Sequence, residues 1–150
     1  MPHTAGRYFE DFAVGDTYLH DTRKVISEAD IGSVPAIPEQ LESRCEEGLR
    51  GQPQAIHGSF AVPWACEVGI GVLTSETSLG ELRISDVRIL RALCYADTLS
   101  VESEVLELQG ADGRNDAGAI EFEVRVYNQQ RQLVAKFRCT ALVKKTATGN

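Results

Sequence analysis

Two short stretches of this sequence hold residue types that could act on a substrate. Glu67 is the single ionisable side chain in the middle of the apolar run from Phe60 to Leu73. A carboxylate among apolar neighbours carries a desolvation cost unless it is paired. Burial there would make it a stronger base, suited to taking a proton from water or from a substrate carbon. Ten residues earlier stands His57, followed by Gly58 and Ser59. An imidazole exchanges its proton near neutral pH. The Gly58 and Ser59 amides, at a helix start, could hold a developing oxyanion. Both stretches also have plain structural readings. Glu67 could pair with an arginine or face a second copy of the chain, and His57 could simply set the start of the helix.

Other residues bear on binding. Trp64 and Phe60 can fill the core, line a ligand cavity, or do both. Arg83, Arg88 and Arg91 could form a local patch for a small anion, or could be solvated strand charges. The net charge of −7 argues against nonspecific nucleic-acid binding, which needs a basic face. The four cysteines (Cys45, Cys66, Cys94, Cys139) lack paired ligand spacing, so no metal site is expected. They read as buried reduced thiols. No apolar run is long enough to span a membrane, and the N-terminus lacks a signal pattern. The expectation is a cytoplasmic protein that needs no cofactor.

The elements that must position these residues follow from periodicity. Alternation over 17–26 predicts a strand, and Ser27 with Asp30 predicts a helix cap. Pro38 opens a predicted surface helix over 38–48, with a narrow apolar stripe through Leu41, Cys45 and Leu49. The run 56–73 is apolar all round and predicts an enclosed helix capped by Ser59, with Pro63 near its first turn. Four alternating strands follow, near 81–90, 99–105, 120–127 and 133–143. The first slips near Ser85-Asp86, in the manner of a bulge. Asp11, Asp16 and Asp97 read as turn and cap residues, and Tyr8, Phe9 and Phe12 as packing onto the sheet. Residues 1–5 and 146–150 read as loose ends of a single domain, 1–150. The economical architecture is α+β, with an antiparallel sheet of about five strands wrapped on a long central helix. A sheet with an uncovered face and edge predicts a homodimer or higher homo-oligomer.

Three segments resemble the MaoC-like acyl-CoA dehydratases, which have the hotdog fold. They are Tyr8-Phe-Glu-Asp-Phe12 with Val14-Gly-Asp16, then Ile56-His57-Gly58, and then the strand pair Val87 to Val105 around Asp97-Thr-Leu99. Ala92 and Ala96 stand where that family usually has Pro and Gly. The resemblance implies an acyl thioester, on CoA or acyl carrier protein, as substrate or ligand. It implies an enoyl-CoA hydratase or 3-hydroxyacyl dehydratase activity. The family's Asp and His lie between its first short helix and the central helix. The corresponding stretch here, Gly32 to Ala55, has no His, Asp or Asn. Glu67 and His57 therefore remain the candidate catalytic residues, with Gly58, Ser59, Trp64 and Arg91 as candidate substrate contacts. Two alternatives stand beside the hydratase reading. One is a thioesterase using Glu67. The other is a non-catalytic hotdog subunit that binds a partner or ligand.

Overall fold

The structure is a computed structural model, and it describes residues 7–32, 55–110 and 115–146. The helix predicted over 38–48 lies outside these residues. The opening segment makes a turn over Phe9–Asp11 and then enters β1 (Thr17–Leu19) and β2 (Lys24–Val25). Helix α1 (Glu28–Gly32) follows, and then β3 (Ala55–Ile56). The helical run begins at Gly58 and contains α2 (Ala61–Cys66). Five strands complete the chain: β4 (Ser78–Ile89), β5 (Leu93–Cys94), β6 (Thr98–Gly110), β7 (Ala117–Tyr127) and β8 (Leu133–Lys144).

The main sheet is antiparallel in the order β1-β6-β7-β8-β4, with β2 also pairing β6. Alternation dictates which face is buried. Leu99, Val101 and Val105 of β6 and Ile120, Phe122, Val124 and Val126 of β7 point inward. Phe137, Cys139, Ala141 and Val143 of β8 do the same, and all are buried. The helical run covers this face.

The predicted strand over 17–26 is split. Between the pairs Leu19–Glu102 and Lys24–Leu99, residues 20–23 stand opposite only 100–101 of β6. The surplus loops out, and Arg23 Nη1 ties it by donating to the His20 carbonyl at 2.7 Å. The Ser27–Asp30 cap is present in both directions. Asp30 N–H donates to Ser27 Oγ at 3.1 Å, and Ser27 N–H donates to Asp30 Oδ2 at 2.9 Å. The slip near Ser85-Asp86 is also present, as a register shift between Ser85 and Arg88 with Asp86 at φ 53°.

The central helix is composite and short, in contrast to the long helix expected. A 3-10 turn (Gly58–Phe60) leads into six α-helical residues, and a π-helical turn follows over Glu67–Gly71. Close packing of the π-helical turn on the sheet accompanies the change of pitch. Gly69 faces the sheet, where a Cβ would sit 2.9 Å from Ser103 Oγ and 3.3 Å from Val101 and Val124 methyls. The backbone approaches β6 and β7 that closely only without a side chain. Ser103, itself fully buried, donates to the Gly69 carbonyl at 3.0 Å.

The opening segment packs partly as expected. Phe12 is buried, edge-on to Phe122 at 5.6 Å, and Phe9 lies against Gly118, where a Cβ would collide with its ring. Tyr8, expected to pack on the sheet with them, is exposed instead. Asp11, Asp16 and Asp97 accept backbone N–H bonds from Tyr8, Ala13 and Cys94, as turn residues do. Thr146, expected in a loose end, is held by a hydrogen bond from its N–H to Glu10 Oε1 at 3.0 Å.

Candidate functional site

The His57-Gly58-Ser59 corner is built by a small ladder. β3 pairs antiparallel with β5, Ala55 opposite Cys94 and Ile56 opposite Leu93. This brings Gly58 hard against the end of β4. A Cβ there would collide with the Arg91 carbonyl oxygen and with Ile89 Cγ2, so only glycine fits. His57 is exposed and caps the turn. Its Nδ1 accepts from Ser59 N–H at 3.2 Å and from Ser59 Oγ at 2.7 Å, which leaves the ring proton on Nε2. The Ser59 amide is thus already engaged. His57 is thus the N-cap of the 3-10 turn that opens the helical run.

Further along, a cleft of about 480 Å³ opens between the helical run and the edge strand β4. One wall is Pro63, Cys66, Glu67, Ile70 and Gly71. The other is Ser78, Gly80 and Leu82 of β4, with Ala141 of β8 at the base and Thr74 to Glu76 closing one end. Glu67 lies in this wall but is exposed, so the burial expected for it is absent. The reason is the edge. The helix covers β8, whereas β4 extends past it. Leu82 and Ile84 share the inward face with their partners Ala141 and Cys139, yet both remain exposed.

The structure separates the candidate residues rather than gathering them. Glu67 lines the cleft; His57, Gly58 and Ser59 sit at the far, N-terminal end of the helical run. Trp64 is half-buried against the core and does not line the cleft. Arg91 is exposed beside Gly58, and Arg83 and Arg88 are exposed along β4. No cluster of His, Cys, Asp and Glu fit to hold a metal occurs among the described residues.

A second hollow, about 440 Å³, lies on the other flank of the helical run. His20 lines it with Tyr18, Asp21, Val68, Val72 and Leu73. His20 Nε2 is 3.0 Å from Ser103 Oγ. Because Ser103 donates to Gly69, the imidazole N–H must donate to Ser103. Burial pushes the His20 pKa below its ordinary value, with Asp21 opposing. The alternation over 17–26 puts His20 on a strand and gives no sign of this bond. The available signal was Ser103, a polar residue in the inward series Leu99, Val101, Ser103, Val105.

The cysteines depart from the all-reduced expectation. Cys94 is disulfide-bonded. Cys66 and Cys139 are free thiols, Cys66 half-buried and Cys139 buried.

The element order, the wrapped antiparallel sheet and the enclosed helical run define the hotdog fold, and solved structures agree. A putative MaoC domain dehydratase from Chloroflexus aurantiacus superposes with a TM-score of 0.75 at 20% identity, covering 100% of this chain and 44% of that one. A monoamine oxidase regulatory protein from Archaeoglobus fulgius gives a TM-score of 0.69 at 24% identity, over 95% of this chain and 97% of its own. An (R)-hydratase from A. caviae gives 0.55 at 18% identity, over 91% and 99%. This chain therefore spans less than half of the first and nearly all of the other two. No protein-family model matches the sequence, and no curated protein does. No helix among the described residues is long and apolar enough to cross a membrane.

Proposed function

We propose that this protein binds acyl thioesters of CoA or acyl carrier protein in the cleft between the helical run and β4. Its activity is of the enoyl-thioester hydratase or 3-hydroxyacyl dehydratase type. The observation that carries this reading is Glu67, an exposed carboxylate set in the largely apolar wall of a cleft on a hotdog scaffold. Apolar walls suit an acyl chain, and a carboxylate is the group such chemistry needs. In hydration, Glu67 takes a proton from water as the water oxygen bonds to the β-carbon, and then gives that proton to the α-carbon, which restores the carboxylate. Dehydration runs the same steps backwards.

The cleft is open along β4, which among the described residues has a neighbour on one side only. Leu82, Ile84, Val87 and Leu90 leave apolar surface along this edge. A second copy of the chain, pairing along β4, would cover that surface and close the cleft. The protein is on this reading a homodimer, or a higher assembly built from it.

The test is conversion of trans-2-enoyl-CoA, followed by loss of the conjugated thioester absorbance across a range of chain lengths. Turnover by the wild type that is lost in Glu67→Gln supports the reading; no turnover at any length removes it. The same cleft geometry also favours a second reading, in which Glu67 directs water at the thioester carbonyl. Release of free CoA thiol, without change in the enoyl bond, would select that thioesterase activity instead.

A further inference from the structure

On the outer face of the sheet, away from the helical run, charges are sorted by strand. Residues paired across antiparallel strands point to the same face. Ile84 lies opposite the buried Cys139, so the neighbouring pairs Arg83–Thr140 and Ser85–Arg138 point outward. Arg88 lies opposite Lys136 and also points outward, because Ile89 beside it pairs with the buried Ala135. An odd number of steps separates Arg83 from Arg88, which by strict alternation would put them on opposite faces. The bulge between Ser85 and Arg88 adds a residue and brings both to one face. β7 carries Glu121 and Glu123 on this face, and β6 carries Glu102 and Glu104.

One cation here is satisfied from within the chain. Arg125 has Glu102 at 2.9 Å, Glu104 at 3.0 Å and Glu123 at 2.6 Å. Arg83, Arg88 and Lys136 make no ion pair among the described residues, and Arg138 has Asp86 and Glu121 only at 3.9 Å. Lys136 stands between Arg88 and Arg125, and like charges directly opposite repel. The cluster lacks an anion. We propose that the outer face of β4 and β8 binds a small molecule carrying a chain of phosphates, through Arg83, Arg88, Lys136 and Arg138. Guanidinium groups meet phosphate oxygens in paired hydrogen bonds. The rows from Arg83–Thr140 to Arg88–Lys136 span roughly 14 Å, at about 3.4 Å per strand residue, which suits linked phosphates better than a single one. The glutamates of β7 and β6 border the cluster, so a long polyanion such as nucleic acid would run onto like charge, whereas a small one would not. The cleft opens on the other face of β4, where Leu82 lies, so this ligand is separate from the acyl thioester proposed above. The site is on a face of β4 and stays open when a second copy pairs along its edge.

Sodium pyrophosphate is titrated calorimetrically into the full chain, with sodium sulfate at equal ionic strength as the comparison. Saturable binding of pyrophosphate, tighter than that of sulfate and weakened by added salt, is expected. In the double variant Arg83→Gln, Arg88→Gln the affinity should drop by about tenfold or more, since each change removes a charge-assisted contact. Arg91→Gln, which removes an exposed cation outside these rows, should bind as the wild type does. Pyrophosphate held no better than sulfate overturns the proposal on the wild type alone. Undiminished affinity in the double variant, or an equal loss in Arg91→Gln, overturns it too. A kinetic arm tests whose phosphates these are. A rise in KM for an enoyl-CoA in the double variant, absent with the phosphate-free N-acetylcysteamine thioester, would assign them to the substrate's own carrier and end the claim of a separate ligand. A protein that turns over no thioester loses the acyl reading, and the titration still decides this one.

Discussion

The two flanks of the helical run treat polar groups in opposite ways. On the β6 flank, Ser103 is buried and its hydroxyl is used twice, as donor to Gly69 and acceptor from His20. On the β4 flank, Glu67 is exposed in an apolar wall and makes no ion pair among the described residues. A buried polar group that is fully partnered serves architecture, because unpairing it costs free energy. A carboxylate held beside apolar walls, with its lone pairs uncommitted, is available to a ligand. The π-helical turn at Glu67–Gly71 stands between the two flanks. Such turns recur at functional sites because they re-aim side chains without ending the helix.

If the flanks differ as argued, substitutions on each should fail differently. The largest effect is expected at Glu67→Gln. Loss of a general base should lower thioester turnover by roughly 10²- to 10⁴-fold. The urea midpoint should stay where it was, since Glu67 is exposed. A large shift in midpoint would place Glu67 among the architectural residues and erase the contrast. Next in size is Gly69→Ala, whose Cβ would press on Ser103, Val101 and Val124. Overpacking of this kind costs about 1–3 kcal/mol, read as a lower urea midpoint. Gly71→Ala is the matched control on the other flank. Its Cβ meets nothing closer than Glu67 Cγ at 3.9 Å. It should be neutral or stabilising by up to about 1 kcal/mol, the usual helix preference of Ala over Gly. Equal losses at both glycines would sink the claim that only one flank is tightly packed.

The contrast between flanks was only half visible in the sequence. Sheet alternation, the Ser27–Asp30 cap, the bulge near Asp86 and the aspartate turns are local patterns, and local patterns survive reading one residue at a time. Glu67 stood out for the same reason, as a charge in an apolar run. Its exposure was not legible, because it depends on where the helix sits relative to the end of the sheet. The composite helix was hidden too. Gly69 looks like any helical glycine until Ser103, thirty-four residues away, is known to face it. His20 needed the same long-range partner. The Cys94 disulfide escaped because spacing along the chain does not reveal which cysteines meet.

The smallest prediction concerns pH and again separates the flanks. Burial lowers the His20 pKa, so the folded state resists a proton that the unfolded chain accepts at about 6.5. The unfolded state therefore binds more protons as pH falls through that value, and stability declines below it. Glu102 and Asp30 act in the same direction but lower down. Burial raises both, but Arg125 and Arg131 around Glu102 outweigh it, as do Ser27 and Lys24 around Asp30. Arg125 Nε lies 2.9 Å from Glu102 and its Nη1 2.6 Å from Glu123. The stability that these carboxylates add is present above the unfolded carboxyl value of about 4 and is lost as pH falls through their depressed folded values. Acid unfolding should thus show a shallow decline beginning near pH 6.5 and a steeper one below about 4. His20→Gln keeps an N–H donor for Ser103 and removes the titration. It should flatten the upper decline in urea midpoints and leave the lower one alone. If the upper decline persists in the variant, the β6 flank holds no proton-sensitive group. The His20–Ser103–Gly69 chain would then be reduced to packing.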